Sequence, residues 1–339
     1  MLAQEILSAA RQVWPPFVLV AGLLSIGAVV DAEGQFEALG ARLARPGLPP
    51  RGLLLVLLAL VAVVTAVLNL DTSVVFLTPV LVHAARRRGF DERPFVYGSV
   101  FMANAASLLL PGSNLTNLLV LERDPVGGTR FGQAMLPAWA AACALTAGFV
   151  ALAFRLEHRD PVGGAAPPLR LGVGTVSALA AAALVLTLRD PAPEVLLLGL
   201  AASTVRRVRP RLDARSLGLL FALAVALGTL ARVWTGPAQL LDSSGRWTTA
   251  AIAAVASVLV NNLPAAVLLS AQAPSHPHAL LLGLDLGPNL AVTGSLSAFL
   301  WLRAARSVGA EASLAAYSRL GALLVPLTLA GALAAPVRA

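Results

Sequence analysis

The sequence predicts an all-α polytopic membrane protein built from two inverted repeats, each with a re-entrant helical hairpin and a broken transmembrane helix, with about eight spans and two hairpins in all. Three observations predict it. Of 339 residues, 58% are hydrophobic and 12% charged, and the mean hydropathy of +0.80 lies well beyond ordinary soluble domains. Arginines gather at alternate ends of the apolar runs, as the positive-inside rule requires. Two of those runs are also interrupted by Pro, Gly, Ser, Thr and Asn, with no charge to mark a surface loop. Such groups are costly in hydrocarbon unless they meet protein or a water-filled space, so the interruptions predict a buried cavity.

Runs free of Asp, Glu, Lys and Arg cover residues 12–30, 52–70, 94–121, 131–154, 171–188, 216–231, 247–284, 286–302 and 320–337. Most approach the roughly 20 residues that cross a bilayer core. The first apolar run starts at Trp14 without a basic leader or a small-residue cleavage site, so no cleavable signal peptide is expected. It runs inward from an external N-terminus and is followed by EGQFEALGARLARP, an interfacial amphipathic helix. Arg42, Arg45 and Arg51 precede residues 52–85, and Arg86, Arg87, Arg88 and Arg93 follow them, which puts both ends of that segment on the cytoplasmic side. It is short of the roughly 40 residues two full spans need. With Asn69-Leu70-Asp71 at its midpoint, it reads as a hairpin that enters and returns.

Residues 95–121 then go out as a broken helix, 132–154 come in, 171–188 go out, 192–208 return and 216–232 go out again. Residues 247–277, flanked by Arg246 and histidines and centred on VNNLP, form a second hairpin entered from outside. The second broken helix, 279–302, comes in to Arg303 and Arg306, and 319–337 go out. The first repeat is thus 1–155 (hairpin 52–85, broken helix 95–121), a cytoplasmic linker covers 156–170, and the second repeat is 171–339 (hairpin 247–277, broken helix 279–302). GSNLTNLLVLERDPVG at Gly112 and GSLSAFLWLRAARSVG at Gly294 share Gly-Ser, a helix start and a closing Val-Gly, a weak internal repeat. Paired inverted repeats with broken helices meeting near the midplane point to a secondary transporter.

The net charge of +8 follows the loops, so nucleic acid is not the expected partner; the bilayer is. All the basic residues are Arg, and the single Cys143 excludes a disulfide framework or a multi-cysteine metal site. No cofactor and no metal are expected.

Only Asp71 and Asp285 lie deep in apolar segments. A charge there must be paired, solvated or neutralised, and burial disfavours its ionised form, which suits a group that loads and unloads a proton. If the first hairpin instead reached the far surface, Asp71 would simply meet water. Around the two carboxylates lie Asn69, Thr72 and Ser73; Ser113, Asn114, Thr116 and Asn117; Asn261 and Asn262; and Asn289, Thr293 and Ser295. Some such groups merely join helices, and Ser107 and Thr146 are read that way. Half-helix N-termini at Asn114 and Ser295 aim N–H groups and positive dipole ends at a solute oxygen. Gly283, Gly287 and Pro288 are expected to break the helix around Asp285. His83, His276 and His278 read as interfacial residues, and Cys143 as a small apolar filler.

At VLNLDTSVVFLTPVLV, PGSNLTNLLV, LVNNLPAAVL and GLDLGPNLAVTGSLSAFLWLRAARSVG, the chain resembles the arsenite/antimonite efflux permeases of the ion transporter superfamily. That superfamily also holds divalent-anion/sodium symporters, citrate transporters and some Na⁺/H⁺ antiporters. The most specific match is Asp285-Leu-Gly-Pro288, then Gly294-Ser-Leu296 and Leu300-Trp301. The family's adjacent Asn-Asp is split here as Asn69-Leu70-Asp71, and the resemblance covers the chain from about Trp14, after the point where the family usually carries scaffold helices. The resemblance implies a multi-pass permease of a bacterial-type inner membrane, not an enzyme. It moves a small oxyanion or metalloid solute by alternating access, leading with proton-coupled efflux of arsenite or antimonite. The rival is the same fold moving an organic or inorganic anion with Na⁺ or H⁺. Family scaffold helices commonly form the oligomer interface, which leaves room for a homodimer. A more distant alternative, an intramembrane aspartyl protease using the two aspartates as a dyad, leaves the Asn-rich hairpins unexplained.

Overall fold

In the computed structural model, residues 2–44, 47–121, 126–156, 161, 168–188, 190–210 and 214–336 are described. Sixteen α-helices and no strand occur among them. Most of the linker expected over 156–170 lies outside the described residues.

Helix α1 (Leu2–Ala32) begins well before Trp14 and runs through Pro15 and Pro16. Its first turns carry Glu5 and Arg11, which hid the N-terminal part from an apolar-run count. Glu5 and Gln12 there meet Arg232, which donates to Gln12 Oε1 at 3.0 Å and lies 4.0 Å from Glu5. α2 (Gln35–Leu43) turns Phe36, Ala38 and Gly40 inward, and Gly40 sits so close to Val80 and His83 that a Cβ would overlap them. The expected interfacial helix is therefore also clamped to α4.

α3 (Pro50–Val67) and α4 (Leu70–Arg87) are joined by Leu68 and Asn69 alone. Their far ends meet, since Arg88, just past α4, donates to the carbonyl of Leu48 just before α3 at 3.1 Å. α5 (Arg93–Ala106) stops at Ser107, a 3-10 turn covers Pro111–Ser113, and α6 (Leu115–Leu121) resumes. α7 (Gly128–Ala153), α8 (Val173–Thr187), α9 (Ala192–Arg206) and α10 (Ala214–Val233) follow. α10 ends in a helix that the apolar runs did not reveal, α11 (Gly236–Asp242), bent from it by 67°. α12 (Arg246–Val260) and α13 (Asn262–Leu269) form the second helix pair, whose returning limb ends at Leu269 rather than 277. Its mouth also closes: Ser275 Oγ donates to Asp242 Oδ1 at 3.2 Å. α14 (Pro277–Leu286), two 3-10 turns (Gly287–Leu290 and Val292–Gly294) and α15 (Leu296–Ser307) make the second broken helix, and α16 (Leu314–Ala334) closes the chain.

By length and composition, α1, α3, α7 and α16 can each cross a membrane, as can the bent α10–α11 pair counted as one span. α5–α6 and α14–α15 each reach comparable length only across their breaks. The packing crosses between halves: α4 lies on α15, α13 lies on α6, and α7 pairs with α16. α1 packs closely on α9, where Gly22 and Gly199 face each other with no room for a Cβ. An aromatic cluster of Tyr97, Phe101, Trp301 and Tyr317 fills the space behind the second break. Trp301 Nε1 donates to the Val96 carbonyl at 2.7 Å and Tyr317 to that of Pro288 at 3.0 Å, so both rings bury with their polar atoms satisfied.

Candidate functional site

Four helices start at residues singled out in the sequence, and each start is capped by a polar side chain. Asn69 Oδ1 accepts from Thr72 N at 2.7 Å at the head of α4, and Asn114 Oδ1 from Thr116 N at 3.1 Å at the head of α6. Asn261 Oδ1 accepts from Leu263 N at 3.3 Å at the head of α13, and Ser295 Oγ from Ala298 N at 3.0 Å at the head of α15. Each cap satisfies one of the four N–H groups a helix start leaves unpaired. Asn261 does this at φ +74° and ψ 146°, a region that residues other than glycine rarely occupy.

The second break joins these parts through four residues spaced four apart. Asp285 Oδ1 accepts from Asn114 Nδ2 at 2.9 Å, tying the break to the first broken helix. Asn289 Oδ1 accepts from Asn104 Nδ2 at 2.7 Å, tying it to α5. The carbonyl of Thr293 accepts from Asn261 Nδ2 at 3.2 Å, and Ser297 Oγ donates to Asp71 Oδ1 at the tip between α3 and α4. A helix turn followed by two 3-10 turns lets residues 285, 289, 293 and 297 meet four different elements.

The first break is held mostly by itself. Ser113 Oγ donates to the Ser107 carbonyl at 2.6 Å, and Asn117 Nδ2 donates to that same carbonyl at 2.9 Å. Ser113 thus shapes the break, and its hydroxyl is turned to the chain's own backbone. Asn262 is buried as the first residue of α13. Thr293 is exposed, and its hydroxyl goes to the Val258 carbonyl at 3.3 Å; it enters the cluster through its backbone.

Gly283 does not break α14, which runs on to Leu286. It has a packing role instead, as a Cβ there would overlap the Ala250 carbonyl on α12. Gly287 and Gly294 likewise admit Ala254 and Pro288, and Gly321 on α16 admits the Asn289 carbonyl. The break is pressed from three sides by backbone.

Several buried polar atoms here have no protein partner among the described residues: Asp285 Oδ2, Asn289 Nδ2, Asn104 Oδ1, Asn117 Oδ1, and the hydroxyls of Thr116, Thr72 and Ser73. Buried polar groups are rarely left so, because each costs about 1–3 kcal/mol. Their gathering at two helix breaks and a hairpin tip makes this cluster the candidate site. Residues 52–85, 94–121 and 247–302, which supply every member, contain no Arg or Lys; the arginines of these helices stand at their far ends.

Three participants were not singled out from the sequence. Asn104, fully buried, lies three residues before Ser107, and this amide inside FMANAAS was a readable signal. Ser107 was assigned to helix joining, yet its carbonyl is the acceptor that organises the first break. Ser297 had no signal, since its partner Asp71 lies in the other half of the chain.

The description of the citrate transporter family matches residues 3–289. The chain belongs to that family. Among curated relatives of this citrate transporter family protein is the arsenical pump membrane protein of Yersinia enterocolitica, 26% identical over 366 residues, covering 92% of this chain and 83% of that one. The arsenical pump membrane protein of Escherichia coli strain K12 is 25% identical over 367 residues, with the same coverage. Among solved structures, the YdaH transporter of Alcanivorax borkumensis superposes with a TM-score of 0.50 at 16% identity, covering 96% of this chain and 85% of that one. That likeness concerns the fold. The chain is an integral membrane transporter, all-helical and of the ion transporter superfamily.

Proposed function

We propose that this transporter exports a neutral, hydroxylated trivalent metalloid, arsenite or antimonite, by alternating access, in exchange for a proton carried by Asp285 or Asp71. The observation that carries it is the donor set: amides, hydroxyls and four helix N-termini around two carboxylates, within the stretches 52–85, 94–121 and 247–302 that hold no Arg or Lys. A neutral trihydroxide needs hydrogen bonds and no counter-charge, whereas a tricarboxylate taken out of water needs cations. The arsenical pump relatives support the same solute. The crossed packing of α4 on α15 and α13 on α6 supports two inverted repeats, with the Asn69 and Asn261 tips entering from opposite sides of an inner membrane. Four ties radiating from one broken helix suit a rearrangement in which some part while others hold.

A second reading takes its support from the family itself and from the four helix N-termini, which can hold an anion without side-chain cations. Under it the solute is a carboxylate moved with Na⁺ or H⁺. Everted membrane vesicles with an imposed proton gradient separate the two. Gradient-dependent accumulation of arsenite or antimonite, and not of citrate, is expected. Citrate accumulation without metalloid accumulation overturns the metalloid reading.

A further inference from the structure

Away from the broken helices, a cavity of about 170 Å³ opens between α7, α14 and α16. Its interior is apolar, with Met135 and Ala138 from α7, Leu282 from α14 and Leu333 from α16. Its rim carries one fixed cation, Arg246, the first residue of α12, and the imidazoles of His276 and His278 at the head of α14, whose ring N–H groups can donate to an anion. Ser275 completes the rim, and its hydroxyl is given to Asp242, the nearest carboxylate bonded to it. Among the described residues, no carboxylate lines the cavity itself.

Two further features sharpen the polarity of this rim. α12 and α14 both start here, and neither Gly245 nor His276 caps its helix with a side-chain hydrogen bond, unlike the four capped helices of the central cluster. Their first-turn N–H groups add positive potential at the same end. Beside Arg246 stands Trp247, about half exposed, with the guanidinium 5.9 Å from its ring centroid. Tryptophan with arginine at the end of apolar helices is the pattern of a membrane–water interface.

We propose that this cavity binds an anionic phospholipid, with the phosphate at Arg246, His276 and His278 and the start of an acyl chain between α7, α14 and α16. The joint chemistry selects the occupant. A free anion would satisfy the rim and leave the throat without partners, whereas a zwitterionic lipid would bring its own cation to a positive rim. The site sits at the mouth of the α12–α13 pair, and Asp285 lies two turns along α14 from His278, about 10 Å of helix. A headgroup there grips the start of both helices that Gly283 and Gly287 pack together, so it bears on the second break without touching it.

The test uses the purified full chain in detergent with phosphatidylglycerol or phosphatidylcholine of identical acyl chains, read by native mass spectrometry. Wild type should retain phosphatidylglycerol at least about fivefold better, the scale of one basic side chain at an anionic headgroup. Arg246→Gln with His276→Gln and His278→Gln should erase that preference, while Arg232→Gln, an arginine at another helix end, should not. Ala138→Trp, which fills the throat, should lower retention with the rim intact, and keeps the test open if the triple variant misfolds. Undiminished preference in both the triple variant and Ala138→Trp overturns the site. Displacement of the lipid by millimolar inorganic phosphate overturns the lipid as occupant in favour of a free anion.

Discussion

Asp285 and Asp71 are the same residue type, each bonded to a side chain from the other half of the sequence, yet their surroundings differ. Asp285 is fully buried; Oδ1 accepts a hydrogen bond from the Asn114 amide, and Oδ2 makes no hydrogen bond within normal geometry among the described residues. Asp71 stands in the first turn of α4 behind the Asn69 cap, is only partly buried and takes its bond from Ser297. A sealed carboxylate with one idle oxygen must wait for a conformational change to exchange a proton with water. A carboxylate that is only partly buried needs a smaller rearrangement to do so. Under the proposed proton coupling, the pair would divide the work: Asp285 would be gated by the fold, and Asp71, less deeply enclosed, would exchange more readily.

The sharpest way to break this division is to remove titration at each site while keeping shape. Asp285→Asn is expected to lower gradient-driven metalloid accumulation by at least about 100-fold, equivalent to about 2.7 kcal/mol, with the protein still inserted. Asp71→Asn is expected to lower it less and to retain some response to the gradient. Vesicle accumulation with and without a pH gradient measures both. Equal losses would erase the distinction, and an unchanged response in both variants would remove the proton from either aspartate.

Next in size is a change that disturbs only the buried side. Gly321→Ala would drive a methyl group into the Asn289 carbonyl, so α16 or the second break must shift, at a cost of about 1–3 kcal/mol. A fall in thermal unfolding temperature, together with lost transport, is the expected result; wild-type stability would show that the break yields freely. Asn114→Ala removes the amide donated to Asp285 Oδ1 and strands that oxygen, a loss of about 1–3 kcal/mol that should appear as a KM raised roughly 5- to 150-fold. Should KM stay level, Asn114 serves only as the cap of α6. The smallest effect is expected on the open side: Ser297→Ala should cost about 0.5–1.5 kcal/mol, at most about tenfold in transport, with Ser297→Thr restoring most of it. A larger loss from Ser297→Ala than from Asn114→Ala would invert the comparison.

What was legible in the sequence was whatever is local. Pro111 with Gly112, and Gly287 with Pro288, cannot continue an α-helix cheaply, and both breaks fall there. Asn69 and Asn261 interrupt apolar runs, and both cap a returning helix. Asp71 and Asp285 stood out because a lone carboxylate in an apolar run is conspicuous. Pairings across the chain were illegible: Ser297 meets Asp71 over 226 positions and Asn104 meets Asn289 over 185, and no local pattern encodes either. Gly283 misled because the same residue serves as breaker and as close-packing spacer, and only the facing helix decides which. The start of α1 and the bent α11 were missed since charged or short segments escape any count of long apolar runs.

The backbone of Asn261 has a kinetic corollary. Holding a residue other than glycine at φ +74° and ψ 146° costs on the order of 1–3 kcal/mol, and the two side-chain bonds to Leu263 N and the Thr293 carbonyl keep it there. The turn is therefore a loaded latch. Under the proposed alternating access, release of the Thr293 tie would let the tip relax downhill, and resetting it would be the uphill half of the cycle. Substituting glycine would unload it, trading a stiff two-position catch for a slack joint that idles between them.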